Sequence, residues 1–278
     1  METQHAFLIY DTDCPFCSWY TGLFIRTGFL STNGRLPYNE AIQNPTLHFN
    51  HDEARNKIAL LNPITGEVKY GIDSMLQVIG TKLPLIRKIG FFPPIHWFLS
   101  RFYNFISFNR KIIAPADCNG NCQCVPSTSV FWRIVFIIAC GLMVNLATGV
   151  YFSQQLNHFF IGKANSDLVF FALQIPFQLF FFRVFKQRNF YDYAGHLAIV
   201  SALGAILLIG FHFLLLVLSS SGISISLFQP LCFGVVLTFM FFEHRRRLRL
   251  LNLSSLLSIT WILFRISIYP FAFNLFVS

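Results

Sequence analysis

The second half of this chain is dominated by five apolar runs, at about residues 131–152, 168–185, 194–218, 222–242 and 253–277. A helix needs roughly 17 to 25 residues to cross a bilayer, and each run reaches that length, the second only just. Backbone N–H and C=O groups in hydrocarbon are satisfied only within helices or closed barrels. The pattern therefore predicts an all-α transmembrane bundle of about five helices over residues 127–278. Charge agrees: residues 127–278 hold 10 Lys/Arg and 3 Asp/Glu, whereas residues 1–126 hold 11 and 9. The chain as a whole is only 12% charged, against about 25% for a soluble protein. Its basic excess arises because acids are missing from apolar segments, which points to a lipid partner and away from nucleic acid.

The connections between the runs alternate in charge. Arg110, Lys111 and Arg133 come before or at the start of the first run. The first connection holds only Lys163 and Asp167, the second Lys186 and Arg188 beside Arg183, the third is the uncharged "SSSG", and the fourth is "EHRRRLR" (243–249). By the positive-inside rule the N-terminal part and the second and fourth connections face the cytoplasm, with the C-terminus outside. The expected location is a bacterial inner (cytoplasmic) membrane. No secretory signal is expected, because the longest apolar run before Asp11 is Ala6–Tyr10, shorter than the roughly 7–15 residues of a signal core.

Residues 1–126 read as a separate α/β domain. "AFLIY" (6–10) has the composition of a buried strand. Cys14 to about Phe29 suits a helix with Pro15 in its first turn, where a missing N–H costs nothing. "RLPYN" is a poor strand, "KIALL" (57–61) and "VKY" (68–70) flank a turn as in a hairpin, and "IDSMLQVIGTKL" (72–83) is a striped helix. Residues 84–113 are aromatic and basic, and the Pro93-Pro94 pair interrupts them. They are expected to pack on the domain and to touch the membrane interface through Trp97, Phe102 and Tyr103. Residues 114–129 read as a linker.

The chemistry is concentrated in "YDTDCPFC" (10–17). Helix N-terminal N–H groups and the helix dipole stabilise a thiolate at the first cysteine. Cys14 is thereby suited to attack a disulfide, and Cys17, one turn on, to resolve the mixed disulfide. Asp11 and Asp13 disfavour a nearby thiolate, but Asp11, at the strand end, is a candidate proton acceptor for Cys17. Two other readings stay open. Cys118, Cys122 and Cys124 form Cys-x3-Cys-x-Cys and, with the first pair, offer thiolates for zinc, although that spacing is not usual for it. The last reading is a pair of inert structural thiols, since cysteine packs well when buried.

"YDTDCPFC", "YGIDSML" (70–76) and "YNFISFNR" (103–110) together resemble the DCC thiol-disulfide oxidoreductase family, over about residues 6–126. The resemblance implies a thioredoxin-like fold and disulfide reductase activity, with Cys14 as nucleophile and Cys17 as resolving thiol. No proline precedes "KIALL", where thioredoxins place a cis-proline.

Among the apolar runs, Arg265 lies near the middle of the last, and Gln174 and Gln178 lie one turn apart in the second, flanking Pro176. With His212 they suit either hydrogen bonding between helices or a polar pocket for a lipid headgroup, quinone or ion. A haem site is disfavoured, since His196 and His212 stand about 160° apart around a helix. Cys140 and Cys232 fall at similar depth and read either as packing residues or as a thiol relay. The sequence as a whole predicts a membrane-anchored thiol-disulfide oxidoreductase of the protein-disulfide reductase type. Its catalytic residues are Cys14, Cys17 and Asp11, it has no cofactor, and it acts on a disulfide-bearing protein or a small thiol. The alternatives are a non-enzymatic membrane protein with a cysteine zinc site, and a transporter or lipid-handling protein with a redox-sensing domain.

Overall fold

A computed structural model describes residues 6–115, 126–155, 166–187, 189–222 and 224–274. Cys118, Cys122, Cys124, Lys163 and Arg188 lie outside the described residues. The chain divides into two compact units, Met1–Trp132 and Arg133–Ser278.

The first unit is built on a four-stranded sheet of order β2-β1-β3-β4, with β1 Phe7–Tyr10, β2 Arg35–Pro37, β3 Ala59–Leu61 and β4 Val68–Tyr70. Strand β1 pairs in parallel with β2 (Ile9 opposite Leu36) and antiparallel with β3 (Leu8 opposite Leu60). β3 and β4 form the expected antiparallel hairpin. Because successive side chains on a strand point to opposite faces, the two central strands feed two cores. Leu8 and Leu60 pack with Phe24 and Val78, on the side of α1 (Pro15–Arg26) and α4 (Ile72–Ile79). Ile9, Ala59 and Leu61 pack with Tyr38 and Ala54, from α2 (Tyr38–Ala41) and α3 (His51–Asn56).

The "YGIDSML" stretch makes the corner from β4 into α4. Gly71 has φ +62°, and a Cβ there would sit 3.1 Å from the Tyr103 ring. Both the backbone conformation and the close ring call for glycine. Three residues later, in α4, the buried Ser74 hydroxyl donates to the Lys69 carbonyl at 2.5 Å and accepts the Leu60 N–H at 3.3 Å, stitching α4 to the sheet.

Two helices follow, α5 (Pro84–Gly90) and α6 (Pro93–Ile113). The region is broken where the proline pair stands: α5 ends at Gly90 and Pro93 opens α6, which runs unbroken for 21 residues. Proline in a first turn forfeits no intrahelical bond. Trp97 and Phe102 are exposed, as an interface role would require. Tyr103 is not: it packs into the first core, and its phenol oxygen accepts the Ile58 N–H at 3.0 Å.

The second unit contains helices only among its described residues: α7 (Val130–Gln155, which begins just before the unit boundary), α8 (Ser166–Val184), α9 (Phe190–Ser220), α10 (Phe228–Leu250) and α11 (Leu256–Asn274). Val130–Tyr151 and Phe190–Ser220 are long and apolar enough to cross a membrane, and Leu168–Val184 and Leu256–Ser267 are shorter apolar helices. The core joins Tyr151, Leu197, Leu208, Leu215, Val236 and Trp261. Arg133, counted above among the charges flanking the first span, pairs with Asp192 at 2.9 Å.

Candidate active site

Strand β1 ends at Tyr10 and the chain turns through Asp11, whose Oδ1 accepts the Asp13 N–H at 3.0 Å. This short turn delivers Cys14 as the N-cap of α1, in an extended conformation, with Pro15 at the first helical position. An N-cap side chain normally accepts a hydrogen bond from an orphan N–H of the first turn. Here the acceptor is sulfur: Cys14 Sγ takes the Cys17 N–H at 3.2 Å. No acidic residue stands in the first turn of α1 to oppose a thiolate.

The two thiols are driven apart in acidity. Cys14 is lowered to about 7, chiefly by the hydrogen bond from the Cys17 thiol, then by the Cys17 N–H and the Arg110 charge, against the cost of burial and the Asp11 charge. Cys17 is pushed well up, because its proton is held by Cys14 and because it is buried next to an incipient thiolate. Both are free thiols. Cys14 has no exposed surface and Cys17 is 5% exposed.

Asp11 is buried as well, and it faces two cations. Arg110 Nη2 reaches its Oδ2 at 3.1 Å and Lys111 Nζ lies 3.4 Å away. The same guanidinium donates to the carbonyls of Arg55 at 2.8 Å and Asn56 at 3.1 Å, and the neighbouring Ser107 hydroxyl also donates to Asn56. Arg110 thus ties the end of α3 to the turn that carries the cysteines. Asn109 beside it donates to the Phe105 and Trp132 carbonyls. The sequence reading placed Arg110 and Lys111 with the charges that orient the first span. The structure puts them against Asp11, and the signal available was the Asn-Arg ending of "YNFISFNR".

Cys17 lines a cavity of about 350 Å³; Cys14 does not. The walls are largely aromatic and aliphatic, with Phe16, Trp19, Tyr20, Met75 and Phe102 among them, and Asp11, Lys57, Ser107 and Arg110 contribute polar groups. Burial holds the Tyr103 phenol up at about 12 and Tyr20 well above its ordinary value, so both face the cavity as neutral hydroxyls at physiological pH. Among the described residues, no three His, Cys, Asp or Glu side chains are placed to hold a metal ion. Cys140 and Cys232 are buried free thiols, the latter among Leu215, Val236 and Met240.

A mixed sheet with a dithiol at the start of its first helix, backed by a buried Asp–Arg pair, defines a domain organised around a cysteine couple. Residues 8–114 match the family model described as DCC1-like thiol-disulfide oxidoreductase. No curated protein and no solved structure matches the chain.

Proposed function

We propose that the chain is a membrane-anchored thiol-disulfide oxidoreductase of the protein-disulfide reductase type, with a thioredoxin-like domain at its N-terminus. The observation that carries the reading is the opposed acidity of the pair, with Cys14 Sγ accepting the Cys17 N–H at the helix start. Cys14 thiolate attacks one sulfur of a substrate disulfide. The S–S bond breaks, and the departing thiolate leaves to take a proton. Cys17 then loses its proton and attacks Cys14 Sγ in the mixed disulfide. The second substrate thiol is released, and the Cys14–Cys17 disulfide remains. The substrate has gained two electrons and two protons, and an external thiol donor returns the enzyme to the dithiol.

Asp11 is assigned as the acceptor for the Cys17 proton, since its carboxylate lines the same cavity as Cys17. Its contacts with Arg110 and Lys111 also suit a positioning role, in which it holds Arg110 near the pair. Asp11→Asn separates the two. Loss of a proton acceptor slows resolution of the mixed disulfide and leaves its formation intact, whereas loss of the strut releases Arg110 from the cysteine turn and slows the first step.

The decisive experiment is partner trapping with Cys17→Ser. It is expected to accumulate mixed disulfides through Cys14 that reducing agent releases and that Cys14→Ser/Cys17→Ser does not form. Absence of any adduct would leave the pair a structural or metal-binding one.

For the second unit we propose five membrane-crossing helices, with the N-terminal unit and the basic end of α10 in the cytoplasm of a bacterial cell. Support comes from the two long apolar helices, from exposed apolar side chains such as Ile138, Leu146, Phe213 and Phe242, and from the Arg245–Arg249 cluster. Cys14, Cys17, Cys140 and Cys232 are buried, so orientation is read from an introduced cysteine. A cysteine placed at Ile64, which is 71% exposed on the β3–β4 turn, should resist a membrane-impermeant reagent in intact cells and react after lysis. Labelling in intact cells would reverse the orientation.

A further inference from the structure

Helices α8 and α11 meet along a seam that carries two pairs of polar side chains at i, i+4 spacing, which places each pair on one helical face. Gln174 and Gln178 come from α8, and Trp261 and Arg265 from α11. Arg265 Nη2 donates to Gln174 Oε1 at 2.9 Å. The Gln178 oxygen accepts from Thr260 at 3.2 Å and from the Tyr193 phenol at 2.9 Å. A guanidinium can only donate, so it fixes the Gln174 oxygen towards itself and turns the amide NH2 elsewhere. The Thr260 and Tyr193 hydroxyls both meet the Gln178 oxygen, although a hydroxyl can accept as well as donate.

What remains is one-sided. Among the described residues, Gln174 Nε2, Gln178 Nε2, Trp261 Nε1 and Arg265 Nε are all buried and have no acceptor. Gln174, Gln178 and Trp261 are at most 2% exposed. All four groups are donors. An unpaired buried donor is costly, and four in one seam would be a heavy burden for a purely structural contact. The charge is unbalanced too. Among the described residues Arg265 has no carboxylate within ion-pair distance, and Asp192 and Glu243 are engaged with Arg133 and with Arg246 and Arg247. The guanidinium stacks 5.2 Å over the Trp261 ring, and Phe177 and Phe264 from the same two helices pack with ring centroids 4.9 Å apart.

We propose that the α8–α11 seam binds an oxoanion, a phosphate or carboxylate group. Such a group supplies several acceptor oxygens and the missing negative charge together. Water supplies no charge and brings donors of its own. The bordering aromatic rings suit an oxoanion attached to an apolar body, but the recognition chemistry is the same for a lipid headgroup and a free anion.

The test uses the full chain, purified and delipidated in detergent. Dioctanoyl phosphatidic acid, inorganic phosphate and acetate are titrated against Tm and against adduct mass in native mass spectrometry, with dioctanoylglycerol and chloride as controls. Saturable stabilisation by phosphatidic acid alone identifies a headgroup. Stabilisation by phosphate or acetate as well identifies a site for a free oxoanion. Arg265→Gln removes the charge, and Trp261→Phe keeps the ring and removes one donor. Each is expected to weaken binding by about tenfold, the equivalent of one hydrogen bond to a charged acceptor. If Arg265→Gln does not fold, Trp261→Phe decides alone. No stabilisation by any of the three anions, or unchanged affinity in Trp261→Phe, overturns the proposal.

Discussion

Two arginines, Arg110 in the first unit and Arg265 in the second, are treated in opposite ways. Arg110 meets a carboxylate, Asp11, and two backbone carbonyls, so its charge and its direction are both accounted for. Arg265 meets a single neutral oxygen, that of Gln174, and an aromatic face. A cation that is closed off internally serves as a fixture: it fastens α3 to the cysteine turn and lends its field to Cys14. A cation left open to an external partner belongs to a site. The same residue type therefore marks architecture in one unit and recognition in the other.

The sharpest way to break this contrast begins at the cysteines that Arg110 serves. Cys14→Ser is expected to reduce disulfide turnover to the background rate, measured with a peptide disulfide and an external thiol donor. Residual turnover would shift the chemistry to another thiol. Next in size is the cost of taking Arg110 from Asp11, which is left with Lys111 at 3.4 Å. Arg110→Met removes one partner of a buried ion pair, which costs about 3–5 kcal/mol, read from denaturant unfolding of the full chain followed by cysteine accessibility. Arg265→Met in delipidated protein should be neutral or slightly stabilising, because it removes a charge with no counter-ion. Equal losses in both variants would erase the distinction drawn here.

Acidity gives a finer test. Cys14 is lowered to about 7, so the ultraviolet absorbance of its thiolate should grow as pH rises, with a midpoint near that value and a loss of reactivity below it. Arg110→Met should move the midpoint upward, since the removed charge favoured the thiolate. An unmoved midpoint would confine Arg110 to the fixture role. The smallest effect is expected from Tyr103→Phe. It strands the Ile58 N–H, costing about 1–2 kcal/mol of stability, with turnover unchanged where the fold persists.

Much of this was legible beforehand where local chemistry dictates local structure. Strand β1, the start of α1 at Cys14 and the β3–β4 hairpin follow from apolar runs and turn residues. β2 was harder to read. Arg35 and Pro37 make it a poor strand, and as an edge strand against β1 it tolerates both. The Pro93-Pro94 pair marks the break between α5 and α6, since proline breaks a helix interior yet suits a first turn. Arg110 was quoted as part of a motif but understood only as a flanking charge. Its carbonyl partners lie 54 and 55 residues away in the chain, and no periodicity reports such a contact. In the second unit Gln174, Gln178 and Arg265 were visible as polar residues in apolar runs. Trp261 was not, because its single N–H is hidden in an otherwise apolar ring.

A thiol that ionises near neutral pH is ordinarily the first casualty of peroxide, which converts exposed thiolates to sulfenic and then to irreversible higher acids. Cys14 ionises in that range and presents no surface. A small oxidant in bulk solvent meets neither sulfur of the couple directly, and the way in runs through the aromatic cavity at Cys17. Such a couple is insulated against casual oxidation, and its redox state is set by whatever the cavity admits and not by the surrounding pool.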